Sequence, residues 1–211
     1  MGNFCGCIGK KANVVILGLQ NSGKTTTMTR IMSIVTRQEL DVSSHPGHPD
    51  DSLLTPTIGQ NIGHISMFGY KTTIFDMGGQ SSYRKQWSVQ YATATTIVFI
   101  IDGADASSFA EARRHFTQVM QDEATANTPV LFLINKCDLD TCARFETVVE
   151  YFSLDGPLTH HRPFRVLRVS ALTGHSIYYA FRWLMAQVTP KGGRPARHIR
   201  VGSSNFEKMI V

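Results

Sequence analysis

Gly18-Leu19-Gln20-Asn21-Ser22-Gly23-Lys24-Thr25 is the stretch on which the fold turns. Ahead of it Asn13-Val14-Val15-Ile16-Leu17 is apolar and β-branched, and reads as a buried strand. Behind it Thr26 to Met32 carries neither Gly nor Pro and reads as a helix. Strand, glycine loop and helix in that order are what G-x-x-x-x-G-K-[ST] needs to hold a phosphate chain. The glycines let the backbone curl so that several N–H groups face one anion. Gly18, Gln20, Asn21, Ser22, Gly23 and Thr26 are therefore assigned to a nucleoside triphosphate. The helix N-terminus adds partial positive charge, Lys24 adds a full one, and the Thr25 hydroxyl is a ligand for Mg²⁺. A chance glycine-rich turn is the poorer reading of a loop so placed.

At 211 residues and 42% hydrophobic, the chain can bury one sizeable core. No apolar run approaches the ~18 residues of a membrane-spanning helix. No signal-peptide core precedes the first strand, so the cytoplasmic side of a membrane is expected. The four cysteines lack zinc-finger spacing and read as reduced thiols. Net charge is +5, with the excess at Lys10, Lys11, Lys191, Arg194, Arg197 and Arg200. Aromatics do not interleave with these cations as they do where bases stack, so a membrane surface fits better than nucleic acid.

Met1-Gly2-Asn3-Phe4-Cys5-Gly6-Cys7 supports that partner. Gly2, once Met1 is removed, is an acceptor for myristate, although Gly6 stands where the pattern wants Ser or Thr. Cys5 and Cys7 lie where palmitate is added, and two acyl chains hold where one does not. Residues 1–12 are read as a lipidated segment, and residues 190–211 as a basic flexible tail. Residues 38–54, rich in Pro, Gly and acids, read as a mobile polar insertion, in which His45 and His48 are more simply solvated than metal ligands.

The remainder alternates strands with helices. Gly63–Phe68 and 71–75 form a hairpin turned by Gly69-Tyr70, ending in Asp76-Met77-Gly78-Gly79-Gln80. A carboxylate where a strand ends beside a phosphate loop supports Mg²⁺. Thr96–Asp102 and Val130–Ile134 are unbroken apolar strands. Ser107 or Ser108 is the expected cap of a helix running to Met120. A helix from Phe145 to Phe152, a strand from Phe164 to Val169 and a helix from Ile177 to Val188 follow. The pattern is α/β: a doubly wound, mostly parallel six-stranded sheet with one antiparallel hairpin. Gly18, Asp76, Asn135 and Ser170 all fall at strand ends, where such sheets bind ligands.

Asn135-Lys136-Cys137-Asp138 selects the base. Guanine offers N1–H and its N2 amino group as adjacent donors, and the Asp138 carboxylate accepts both. Adenine presents an acceptor at N1, and a mismatch that strands buried polar groups costs orders of magnitude in affinity. Lys136 can lie along the base, and the Ala171 N–H of Ser170-Ala171-Leu172 can reach the guanine O6.

With these motifs together, residues 13–189 resemble a small GTPase of the ADP-ribosylation-factor-like (Arf/Arl) family. The resemblance rests on Gly-Leu-x-Asn-Ser-Gly-Lys-Thr-Thr (18–26), Pro-Thr-Ile-Gly (56–59), Asp-Met-Gly-Gly-Gln (76–80), Arg84 with Trp87, Asn-Lys-x-Asp (135–138) and Met1-Gly2-Asn3. It implies a switch that binds GTP or GDP with Mg²⁺, is monomeric, and works with an exchange factor, an activating protein and effectors. It further implies that Thr57 ligates Mg²⁺, Gly79 offers its N–H to the γ-phosphate, and Gln80 orients the attacking water beside Lys24. The 63–75 hairpin becomes the element that shifts when the γ-phosphate arrives. Phe75-Asp76-Met77 and Tyr83-Arg84 lean toward the branch that recruits ciliary trafficking coats.

Gln20 stands where the family usually has Asp, and Gln60 where it has Phe, which points to an altered partner set. The family's longer amphipathic N-terminal helix has only Asn3 to Lys11 here. A heterotrimeric α subunit is excluded, because the 38–54 insertion is too short for its helical domain and Leu53-Leu54-Thr55-Pro56 supplies no arginine. A nucleoside kinase would lack Asn-Lys-x-Asp. A rival from another class is a scaffold that stays loaded with GTP.

Overall fold

The computed structural model describes residues 10–39 and 57–188. The expected lipidation positions Gly2, Cys5 and Cys7, His45 and His48, almost all of the 38–54 insertion, and the tail lie outside the described residues.

Six strands form one sheet in the order β2-β3-β1-β4-β5-β6. They are β1 (Lys10–Leu17), β2 (Gln60–Met67), β3 (Tyr70–Met77), β4 (Thr96–Asp102), β5 (Val130–Asn135) and β6 (Phe164–Arg168). All neighbours run parallel except β2 and β3, the expected antiparallel hairpin. Its turn is Phe68-Gly69, one residue earlier than anticipated. Both have positive φ (51° and 83°), the two-residue geometry that matches strand twist.

The first strand begins at Lys10, three residues before the expected Asn13. Two exposed lysines are poor strand formers by pattern. Lys10 and Lys11 nevertheless join the ladder because β3 offers Tyr70 and Lys71 as partners. The helix after the glycine loop, α1 (Lys24–Glu39), runs two residues into the stretch read as insertion. The short α2 (Trp87–Tyr91) and α5 (Pro157–His160) were not anticipated, being too brief to carry periodicity. The remaining helices are α3 (Phe109–Gln121), α4 (Phe145–Phe152) and α6 (Ile177–Ala186). Neither Ser107 nor Ser108 caps α3 with its side chain. Asp105 instead accepts from the Ser107 N–H at 3.2 Å and opens a 3₁₀ turn that leads into the helix.

Every residue of β4 and β5 is buried, which is why these strands read as continuous apolar runs. Alternate side chains feed two cores. Val14, Ile16, Val98, Ile100, Leu131 and Leu133 pack under α1 and α6. Val15, Leu17, Ile97, Phe99, Phe132 and Ile134 pack under α3 and α4. The second core is centred on Phe132, whose ring lies 5.8, 5.0 and 5.2 Å from those of Phe99, Phe116 and Phe152. Replacing Phe132 by Ala should cost ~3–5 kcal/mol, the range for a buried aromatic with little room to collapse. A urea midpoint close to wild type would show that this cluster does not hold the α3/α4 face.

Candidate functional site

The site lies along the carboxyl ends of β1, β3, β5 and β6, and each strand delivers its part by its length. After Leu17 the chain must turn tightly beneath β4. Gly18 does so at φ +149°, where a Cβ would sit 2.2 Å from the Ile100 carbonyl oxygen. Gly23, at φ +90°, leaves room for the Asn135 amide, which a Cβ would meet at 2.1 Å. Asn21 is left-handed, at φ +63°. Ser22 is buried, and its hydroxyl donates inward to the Leu19 carbonyl at 2.9 Å, leaving its backbone as the group for a phosphate.

Lys24 opens α1 and is almost fully buried. Its Nζ donates to the Leu19 carbonyl at 2.7 Å. Burial lowers its pKa to about 8, an effect partly opposed by Asp76 and reinforced by Arg84. A buried ammonium with one neutral partner is poised for an anion.

Asp76 is the joint between loops. Its Oδ2 accepts from Thr25 Oγ1 at 2.6 Å, from Thr57 Oγ1 at 3.3 Å and from Asn61 Nδ2 at 3.4 Å, and the two hydroxyl oxygens are 2.9 Å apart. The carboxylate is wholly buried, and its Oδ1 has no partner among the described residues. Burial raises its pKa, with Thr25 and Lys24 acting in the other direction. Two hydroxyls converging on a buried carboxylate with an orphaned oxygen are hard oxygen donors short of positive charge. That donor set suits Mg²⁺, with Thr25 and Thr57 as ligands and Asp76 behind them. Asn61 escaped the sequence reading. Its signal is register, since it faces Asp76 across the hairpin.

Gly79 lies against the glycine loop, so that a Cβ there would sit 2.4 Å from the Gln20 nitrogen and 2.6 Å from Lys24 Nζ. Two side chains hold this strap. Arg84 Nε donates to the Gly79 carbonyl at 2.8 Å, and Trp87 Nε1 donates to the Gly78 carbonyl at 3.1 Å. Arg84 also meets Glu111 at 2.6 Å and His115 at 2.9 Å, both on α3. Gln80 follows the strap and is half-buried.

Asn135, ending β5, is a buried strut between three motifs. Its Nδ2 donates to the Ser22 carbonyl, and its Oδ1 accepts from the Ala171 N–H, both at 2.9 Å. The Ala171 N–H, expected to reach the guanine O6, here donates to Asn135 and ties the 170–172 loop to β5. Lys136, at φ +65°, is held by Asp102 at 2.6 Å. Asp138 is exposed at the mouth of the loop, as is Leu172, whereas Ser170 is buried and its Oγ accepts from the Thr173 N–H at 3.1 Å. Arg30 of α1 braces the same loop, donating from Nε to the Ala171 carbonyl at 3.0 Å and from Nη2 to that of Leu172. Nothing local in the sequence marked Arg30, because its partners lie 141 and 142 residues away.

A glycine loop closed by a buried lysine, a Thr–Thr–Asp cluster and an Asn-Lys-x-Asp strand end on this sheet define a P-loop GTPase of the small type. The model of the ADP-ribosylation factor family matches residues 3–188, and the chain belongs to that family. It is 30% identical over 184 residues to ADP-ribosylation factor-related protein 1 of Homo sapiens, covering 87% of this chain and 88% of that one. It is 29% identical over 178 residues to ADP-ribosylation factor-like protein 3 of Chlamydomonas reinhardtii, covering 84% and 91%. Among solved structures it resembles the Arl6 BBS3 small GTPase from Trypanosoma brucei with bound nucleotide analogue GppNp. That match has TM-score 0.71 and 25% identity over 85% of this chain and 98% of that one.

Asn135→Ala would leave the Ser22 carbonyl and the Ala171 N–H unpaired. At ~1–3 kcal/mol for each buried orphan, the variant should lose about 2–6 kcal/mol in urea unfolding. It should also release guanine nucleotide faster. Wild-type stability with wild-type release would show that the strut is dispensable.

Proposed function

We propose that this GTPase is a membrane-associated switch that hydrolyses GTP slowly, with Mg²⁺, and recruits effectors or coats in vesicular or ciliary and flagellar trafficking. The observation that carries this reading is the meeting of Thr57 with Thr25 and Asp76. It joins the segment after the insertion to the phosphate loop through groups a triphosphate and its cation would hold. Order in that segment then depends on the nucleotide, which is what a switch requires.

In the proposed reaction a water attacks the γ-phosphorus and the bond to the β–γ bridging oxygen breaks. Lys24 and the loop N–H groups stabilise the charge that builds on the phosphate oxygens. Gly79 faces the γ-phosphate and Gln80 orients the water. Bound Mg²⁺, held by Thr25 and Thr57, would neutralise charge on the β- and γ-oxygens. Asp138 reads the guanine edge. Arg84 is committed to Gly79, Glu111 and His115, so an arginine from an activating protein is expected to supply the missing charge.

Attachment is proposed through acyl chains on Gly2 and on Cys5 or Cys7, at the cytoplasmic face of a membrane, with the protein monomeric. Because β1 starts at Lys10, Phe4 and Ile8 are the bulky apolar residues ahead of it, among Gly2, Gly6 and Gly9. Those glycines disfavour a helix whose apolar face a switch could hide. Acylation would therefore hold both nucleotide states, leaving GTP to control effector docking.

Single-turnover hydrolysis should be slow for the purified protein and faster by ~10³–10⁵ when a cell extract supplies an activator. Gln80→Leu should abolish the stimulation, and Thr25→Asn should favour the GDP-bound or empty form. In cell fractionation both variants should remain on membranes and both should be released by Gly2→Ala. No stimulation by any extract would favour the permanently loaded scaffold. A soluble Thr25→Asn beside a membrane-bound Gln80→Leu would overturn constitutive anchoring.

A further inference from the structure

The Gly78-Gly79 strap is pinned by Arg84 and Trp87, and both pins meet one imidazole. His115 lies half-buried on α3, with Nε2 2.9 Å from Arg84 Nη1 and its ring edge-on to that of Trp87 at 5.7 Å. Arg114 Nη2 lies 3.4 Å from the same Nε2, and Nδ1 is 3.1 Å from Gln118 Oε1. A guanidinium has no lone pair to offer, so Nε2, facing two of them, is the acceptor. Gln118 Oε1 accepts in turn, which puts the proton on Nδ1. The contacts therefore fix His115 as a neutral imidazole.

The surrounding charges work against a second proton. Arg84 and Arg114 face the ring, and Lys85 shares the hollow of about 250 Å³ between α2 and α3. Glu111, one turn earlier on α3, is the opposing charge, but Arg84 holds it at 2.6 Å. Asp122, just past α3, lines the same hollow and accepts from the Tyr91 hydroxyl at 2.7 Å. Burial, then Arg84 and Arg114, lower the imidazole's pKa from its ordinary 6.5, with Gln118 and Glu111 acting the other way.

The two hydrogens of Arg84 Nη1 go to Glu111 and His115, and Nε–H goes to the Gly79 carbonyl. That carbonyl belongs to the peptide that ends in the Gln80 nitrogen. A proton on Nε2 would remove an acceptor from the guanidinium and set a cation against it. It would also compete for Glu111, which sits four residues earlier on the helix, the favourable order for an acid and a cation. Arg84 would then lose its hold on α3. We propose that neutral His115 is a positioning residue for GTP hydrolysis: it keeps Arg84 on the Gly79 carbonyl, and its protonation releases the Gly79–Gln80 peptide. The inference rests on the roles proposed above for Gly79 and Gln80 and adds a pH dependence to them. Because the folded-state value lies below 6.5, the strap is held above that pH and let go as pH falls through the lower value.

Two measurements on the full-length protein with Mg²⁺ test it, each from about pH 8 to about pH 5. In NMR of the complex with a non-hydrolysable GTP analogue, the Gly79 and Gln80 amides should shift along the His115 titration curve. They should not do so in His115→Gln, which keeps an acceptor for Arg84 and cannot titrate. In single-turnover hydrolysis, wild type should slow by about tenfold relative to His115→Gln over that range, while His115→Ala, with no acceptor, should be slow throughout. The Gln variant keeps every other titrating group, so the difference belongs to His115. Amides that ignore the imidazole's titration, or a wild-type rate in constant ratio to that of His115→Gln, would overturn the proposal. Absence of hydrolysis at every pH would count against the turnover reading instead, and the amide titration would then decide the inference by itself.

Discussion

The Asp76 carboxylate is the constraint around which the site is arranged. Burying a carboxylate is costly, and among the described residues this one accepts from three side chains without an ion pair while keeping one oxygen unpartnered. Those donors are Thr25 of α1, Thr57 beyond the insertion and Asn61 of β2, so a single charge joins the phosphate-loop helix to the stretch that leads into the hairpin. The arrangement is strained electrostatically and satisfied geometrically. That combination fits a centre whose remaining charge arrives with its ligand. Lys24 shows the complementary imbalance, an ammonium whose hydrogen-bond partner is a neutral carbonyl.

A second brace acts on the side where the base would lie. Asn135 spans the phosphate loop and the 170–172 loop, and Arg30 fastens the latter from beneath. The base-reading residues thereby inherit the rigidity of β5 and α1. Asp138 remains open to solvent, while Asn135 and Arg30 behind it are buried. Rigidity on this side is carried by Asn135 and Arg30, whose side chains bond to the protein backbone.

Much of this was legible in the sequence because buried parallel strands announce themselves as apolar runs and their ends locate the ligand groups. Gly18, Asp76, Asn135 and Ser170 lay at strand ends as the pattern required. What the sequence hid was of two kinds. Contacts between distant residues, such as Arg30 with Ala171 or Lys136 with Asp102, have no local signature. Competition between good partners is also silent: the Ala171 N–H has the right position for a base but is taken by the Asn135 side chain, and Asp105 displaces Ser107 and Ser108 as the cap. The start of β1 at Lys10 is similar, since pairing with β3 overrides a polar pattern.

The central claim is that Asp76, through Thr25 and Thr57, makes nucleotide retention depend on a divalent cation. The most direct measurement is the dissociation rate of a fluorescent GTP analogue from the purified protein in Mg²⁺, before and after addition of EDTA. The account predicts release faster by roughly tenfold or more once the cation is removed. Identical rates with and without Mg²⁺ would contradict it.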